Sequence, residues 1–344
     1  MKENGQQLPG DHPPVRSGLA GVLLVNLGTP DAPEPGAVKR YLAEFLSDPR
    51  VVEIPQVLWQ PILRGIILNT RPKKSAAAYA KVWTDRGSPL AAITADQAAG
   101  LKQRLGAMHG EGTRIDYAMR YGQPSIESRL LEMKEAGCDR ILIAPLYPQY
   151  CAATTATVFD EVARVLGKMR WQPSLRFLAP YYDEPAYIDA LAHDLSSQLG
   201  ALEFEPEVLL LSFHGMPQRT LELGDPYHCH CMKTARLLGD RLAKPGLRIE
   251  TTFQSRFGKA KWLEPATDAT LEKEARGGTR KLAVAAPGFA ADCVETLEEL
   301  AIAGREQFTG AGGQDYAVLS CLNASDAGME MLETLVAREL SGWI

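Results

Sequence analysis

EVLLLSFHGMPQRTLELGDPYHCHC, residues Glu207–Cys231, decides how the chain is read. Val208–Phe213 is a nearly unbroken apolar run, the pattern of a central strand buried on both faces. His214-Gly215-Met216-Pro217 ends it, because Gly permits a turn and Pro cannot continue a hydrogen-bonded ladder. His214 therefore sits at the carboxyl end of a buried strand, where open α/β sheets gather their ligand chemistry. With an unperturbed pKa of about 6.5, an imidazole there can accept a proton or meet a metal ion without first ionising. The plainer alternative is a histidine that only bonds a loop carbonyl.

The same punctuation occurs earlier. Gly21–Leu27 (GVLLVNL) is an apolar strand closed by Gly28-Thr29-Pro30, so Gly28 matches Gly215 and Pro30 matches Pro217. Both pairs lie 187 residues apart (215 − 28 and 217 − 30). Met119-Arg120-Tyr121-Gly122 pairs with Ser255-Arg256-Phe257-Gly258, RILIAPLYP (140–148) with RKLAVAAPGF (280–289), and SLRFLAP (174–180) with DYAVLSCLN (315–323). Helical stretches such as Ser125–Ala136 and Ile188–Gln198 separate the strands. Four strand–helix units repeated in one order predict an α/β fold of two similar Rossmann-like halves, each a doubly wound parallel sheet, facing each other across a cleft. The halves are expected at 19–182 and 183–344.

The first half carries an insertion between its first two strands, at about 31–91. Tyr41–Leu46 and Val57–Leu68 are apolar and aromatic, with Arg71, Lys73 and Lys74 directly after them. Glu53, Pro55, Pro61 and Arg64 interrupt the stretch too often for a membrane span. It reads as a lip lying at a bilayer surface or bordering a cleft for an apolar anion, or as a helix packed on its domain.

In the second half, DCVETLEEL (292–300) follows the strand at 280–286. Val294, Leu297 and Ala301 repeat at α-helical spacing and are expected to face the core, leaving Asp292, Glu295 and Glu299 on another face. Asp292 and Glu295, three residues apart, also suit a capping arrangement at a helix start.

Composition narrows the classes. The chain of 344 residues is 45% hydrophobic and 23% charged, ample for a large core. A net charge of −5 argues against general nucleic-acid binding, which needs basic fields. Met1–Gly18 is polar and rich in Pro and Gly, reads as an unstructured leader and does not resemble a secretory signal. Six cysteines in so long a chain read as reduced thiols of a cytoplasmic protein.

Taken together, LVNLGTP, MRYGQP, APLYPQY, LSFHGMP, GDPY, QSRFG, Lys261-Trp262-Leu263 and DCVETLEEL resemble the ferrochelatase family in order from about Gly21 to Asn323. The resemblance implies insertion of Fe2+ into protoporphyrin to give protohaem, with no cofactor required. It implies His214 and Glu295 as the catalytic pair, also meeting the substrate iron, on opposite halves of the cleft, with Asp292 and Glu299 as supporting acids. Arg120, Tyr121, Tyr147, Tyr227, Trp262 and Phe289 are similar to the family's pocket wall, and Arg71 and Lys74 to its lip near the propionates. Two positions depart from the family pattern: Cys293 stands where some relatives have His, and Leu27 where others have Met.

His228-Cys229-His230-Cys231 places four potential ligands in a row. Some family members hold a [2Fe–2S] cluster, which needs four ligands. Here Cys229 and Cys231, helped by the distant Cys151 or Cys138, are the candidate donors, against a reading as ordinary thiols. An apolar substrate and lip further imply peripheral association with the inner membrane. A chelatase for another tetrapyrrole, and a porphyrin carrier without catalysis, are the competing functions.

Overall fold

The structure is a computed structural model that describes residues 16–109, 112–258 and 260–344. The expected leader lies outside the described residues as far as residue 15. The first sheet is built from β1 (Leu19–Gly28), β2 (Thr113–Tyr121), β3 (Cys138–Pro145) and β4 (Ser174–Phe177). The second is built from β5 (Val208–His214), β6 (Arg248–Gln254), β7 (Lys281–Ala285) and β8 (Asp315–Val318). Their strand orders are β2-β1-β3-β4 and β6-β5-β7-β8, and every pairing is parallel. The second sheet therefore repeats the first, including β4 and β8, which hold the strands of SLRFLAP and DYAVLSCLN.

The unbroken apolar runs follow from burial on both faces. Val22 and Leu24 of β1, with Leu209, Leu211 and Phe213 of β5, enter one core shared by the two halves. Their alternating neighbours Leu23 and Val25 pack into the outer core of the first half, and Val208 and Leu210 into that of the second. Burying such a side chain contributes about 1.5–3 kcal/mol, so a polar residue at any of these positions would be costly.

The two repeated glycines have a steric cause. Gly28 has φ +117°, and a Cβ there would lie 1.8 Å from the carbonyl oxygen of Tyr121. At Gly215 the corresponding atom would lie 2.5 Å from the Gln254 oxygen. Each central strand thus ends pressed against the last residue of its β2 or β6 neighbour.

In the first half α1 (Pro35–Phe45), α2 (Gln56–Ile62), a π-helical turn (Leu63–Ile67) and α3 (Leu68–Val82) form the inserted lip. α4 (Pro89–His109) then returns the chain to β2 and packs on it. Leu46, Leu63 and Leu68 give the lip a small core of its own, joined by Trp59, whose indole donates to the Leu46 carbonyl at 2.6 Å. Its other face is open: Val57 is 86% exposed, Leu58 62% and Ile66 57%. The lip is therefore neither wholly packed on the domain nor a span; no helix among the described residues is long and apolar enough to cross a membrane.

α5 (Ile126–Glu135) follows β2. β3 is followed by a π-helix (Ala152–Ala156) and α6 (Thr157–Leu166), and α7 (Pro185–Ala201) leads into the second half. That half adds α8 (Gln218–Glu222), α9 (Tyr227–Leu242), α10 (Thr267–Arg276), a π-helix (Glu295–Gly304), α11 (Arg305–Gly310) and α12 (Asp326–Leu340). Both third strands are thus followed by π-wound segments.

The π winding corrects the expected helix face. Thr296, Leu300 and Gly304 are buried, every fourth residue, while Val294, Leu297 and Ala301 are not. An i→i+5 helix has more than four residues per turn, so an α-helical period misplaces its core stripe. The expected capping box is absent too. The Asp292 carboxylate accepts from the Thr296 hydroxyl, the Asn323 amide and the Cys321 N–H, and the Val294 cap makes no side-chain bond.

Candidate active site

In a sheet of order 2-1-3-4 the connections diverge between strands 1 and 3, and the gap at their carboxyl ends is where ligands bind. A cavity of ≈ 290 Å³ lies there, lined from both sheets. Leu27, Gly28 and Thr29 reach it from the end of β1, and Leu146, Tyr147 and Gln149 from the end of β3. His214 comes from β5, and Phe289 and Glu295 from beyond β7. The lip closes the remaining side with Tyr41, Phe45 and Tyr79. Most of the lining is apolar, with one imidazole and one carboxylate.

His214 and Glu295 thus line one cavity, but not from opposite halves. β5 and β7 are adjacent strands, so both groups belong to the second half. The surface across from them is supplied by the first half, chiefly by lip tyrosines. The His214 Nδ1 lies 2.7 Å from the Gly215 carbonyl, and the Tyr227 hydroxyl donates to the His214 carbonyl at 3.0 Å. Burial, with the nearby Glu295 adding to it, holds Tyr79 and Tyr41 well above the ordinary phenol range, so both stay neutral donors. The Tyr41 hydroxyl donates to the Gly28 carbonyl at 3.2 Å.

Glu299 lies one π-turn beyond Glu295. Burial raises its carboxyl, opposed by two donors from Ser255: the N–H at 2.7 Å and the hydroxyl at 2.6 Å. Ser255 has φ +64°, a left-handed conformation rare outside Gly, Asn and Asp, and it aims both groups at one carboxylate. Asp292 is buried and turned away to Thr296, Cys321 and Asn323.

Tyr147, Tyr227 and Phe289 line the cavity with His214 and Glu295; Arg120, Tyr121 and Trp262 do not. Arg120 and Tyr121 end the outer strand β2 and Trp262 follows the outer strand β6, each one strand removed from the gap. Arg120 (2.6 Å) and the Tyr121 hydroxyl (2.9 Å) both bond the Asp48 carboxylate, and the Tyr121 ring packs behind Phe45. Trp262 packs against Gly215, and its indole donates to the Phe257 carbonyl at 2.9 Å. Arg71 lies over the Phe257 ring at 4.9 Å, bridging the lip to the second half, and Lys74 is exposed next to the lining residue Ser75. Sequence reasoning missed Tyr41 and Tyr79. Both stand in the lip, where no repeat partner in the other half marked them.

The four would-be ligands of α9 do not converge. Successive helical residues point about 100° apart. His228 stacks on Phe253, Cys229 is exposed, His230 faces the first half and Cys231 is buried. Among the described residues no group of three or more His, Cys, Asp or Glu side chains is arranged to hold a metal. Burial pushes Cys151 up to about 12 and raises Cys231, so neither is a ready thiolate. Cys229, Cys231 and Cys151, the expected cluster donors, do not form such a group. Cys293, in the cavity wall, is likewise held protonated by burial.

Fold and cavity together define a class: a two-halved α/β protein whose facing strand ends enclose an apolar slot bearing an imidazole and a carboxylate. Solved chelatases share this fold. SirB from Bacillus subtilis with Fe3+ superposes with a TM-score of 0.55 at 12% identity, covering 94% of this chain and 96% of that one. The sirohydrochlorin chelatase SirB from Bacillus subtilis subspecies spizizenii in complex with cobalt gives 0.52 at 11%, covering 94% and 97%. The family model described as Ferrochelatase matches residues 20–340. Proteins named Ferrochelatase are similar along nearly the whole length. Those of Allorhizobium ampelinum (98% of each chain) and Rhizobium meliloti (97% and 98%) are 52% identical, and that of Bordetella pertussis (100% and 95%) is 49% identical. This chain belongs to the ferrochelatase family.

Proposed function

We propose that the slot between the sheets holds protoporphyrin and that His214 and Glu295 act on it as Fe2+ enters, giving protohaem. The family's reaction, a lyase reaction, exchanges two pyrrole protons for one ferrous ion. A planar ring hides its nitrogen lone pairs, so a wall that holds it puckered favours metallation; such distortion is worth about 1–5 kcal/mol. His214, fixed at the end of β5, is the base for a pyrrole proton, and Glu295 is the carboxylate that meets iron or carries a proton away. Glu299, held by Ser255, continues the acidic path along the π-helix, and Asp292 serves it as a structural support. Tyr147, Tyr227 and Phe289 contact the ring. Arg120, Tyr121 and Trp262 act from behind the wall, and Arg71 and Lys74 serve the propionates at the mouth.

The observation that carries this reading is the placement of one imidazole and one carboxylate on the same apolar slot. Its test is anaerobic metallation of protoporphyrin followed at the Soret band. His214→Ala and Glu295→Gln should each lower kcat by roughly 100-fold or more, the usual contribution of a positioned proton acceptor. Wild-type turnover in both variants would remove the assignment.

The exposed Val57, Leu58, Ile62 and Ile66 also support peripheral binding of the lip to the inner membrane, from which an apolar ring would be delivered. The reading places the protein in the cytoplasm, as its reduced thiols suggest, with 19–182 and 183–344 as the two cleft walls.

A further inference from the structure

One face of α9 starts at the cavity wall with Tyr227 and continues past it through His230 and Thr234. Tyr227, His230 and Thr234, at i, i+3 and i+7, share one face of the helix, and that face meets the first half. The backbone N–H of Tyr150 donates to His230 Nδ1 at 3.2 Å, and the His230 ring stacks on Tyr182 with centroids 3.6 Å apart and planes 9° from parallel. Gln149 donates to the Thr234 hydroxyl at 3.0 Å, and Thr234 in turn donates to the Tyr182 carbonyl at 2.6 Å. Two residues before the helix begins, Asp225 accepts from the Ala152 N–H at 2.7 Å and from the Tyr227 N–H at 3.0 Å.

Every first-half partner in this set lies in the segment that carries the Tyr147–Gln149 wall of the slot, or in its neighbour Tyr182. Every second-half member is on α9 or just before it, and α9 also holds Tyr227, whose hydroxyl fixes the His214 carbonyl. The two walls are thus fastened to each other just outside the slot. Acceptance at Nδ1 requires the neutral imidazole with its proton on Nε2. Burial favours that neutral form, while Asp183 and Asp225, the acids facing the ring, oppose it.

We propose that His230 is a positioning residue for metal insertion, its Nδ1 and ring stack setting the width of the slot between the Tyr147–Gln149 wall and His214. The inference rests on the reading of His214 as the group facing the ring. A side chain that never touches substrate can still control kcat, because a misplacement of about 1 Å can cost about 100-fold.

Three variants separate position from packing. Asn places its amide oxygen near the Nδ1 site, Gln moves its polar end outward to the Nε2 site, and Leu keeps bulk without an acceptor. His230→Gln and His230→Leu should lower kcat by roughly tenfold with KM for Fe2+ changed by less than about twofold, and should shift the Soret band of bound porphyrin. His230→Asn should restore kcat to within about threefold of wild type and return the band. Equal kcat values for the Asn and Gln variants, whether near wild type or reduced together, would overturn the proposal, and this pair decides the question even if the Leu variant does not fold. His214→Ala, assayed alongside, tests the catalytic assignment separately.

Discussion

Glu299 shows how one residue's surroundings set its chemistry. Its carboxyl is raised by burial despite two hydrogen bonds from Ser255. A carboxyl whose folded pKa exceeds its unfolded value of about 4.3 contributes its full stability below that pH, and loses it as pH rises through the folded value. Glu299→Gln removes this titration. The melting temperature of the Gln variant relative to wild type should therefore improve between about pH 5 and about pH 8. A difference that is the same at both pH values would show that the carboxyl titrates as an ordinary one. His214 was legible at this scale because a strand end announces itself by Gly and Pro. Ser255 was not, since nothing in QSRFG states that the serine takes a left-handed conformation. The direction of Asp292 was hidden as well, because its partners Cys321 and Asn323 come from beyond β8.

Among the elements, the lip and the π-helix carry most of the function. The lip is tied to the second half by Lys81–Glu298 at 2.8 Å, by Arg219–Glu53 at 3.6 Å and by Arg71 over Phe257. The charge pairs are exposed to solvent and screened by it, so they orient the lip without locking it. Val57 and Leu58 point outward and make little core contact, so Val57→Glu with Leu58→Glu should leave the melting temperature within a few degrees of wild type. The same change should reduce co-sedimentation with anionic phospholipid vesicles by about fivefold or more. Undiminished sedimentation would show that the lip does not meet the bilayer. The insertion itself was readable because Gly122 and Gly258 lie only 136 residues apart (258 − 122), against 187 for Gly28 and Gly215. The inward turn of Tyr41 and Tyr79 was not, because helix phase on the domain depends on what it packs against. The π winding was misread for a related reason: periodicity arguments assume an α period, and the departure from it is settled by packing around Tyr316, whose hydroxyl bonds the Leu300 carbonyl and stands against Gly304.

At the scale of the whole molecule, one core runs through both halves, joining Val22 and Leu142 to Leu209 and Leu335, and α12 packs on α4 and α7. Halves sharing so much buried surface should unfold together: urea transitions followed by tryptophan fluorescence and by far-ultraviolet circular dichroism should coincide. Two separated transitions would mean that each half is stable alone. Cys229→Ser should leave metallation and visible absorbance unchanged within about twofold, because its neighbours on α9 point elsewhere; loss of a visible band would revive the cluster. The amino-acid sequence by itself determined the two sheets, the repeated order of their strand–helix units, the strand end that carries His214 and the segment after β7 that carries Glu295, because burial on both faces and glycine punctuation are local properties of the chain. Only the tertiary structure decided which residues share the slot. His214 and Glu295 fell on one wall because β5 and β7 are neighbours, Arg120 and Trp262 fell behind it because β2 and β6 are outer strands, and the His-Cys-His-Cys run was divided because a helix turns each successive side chain toward a different neighbour.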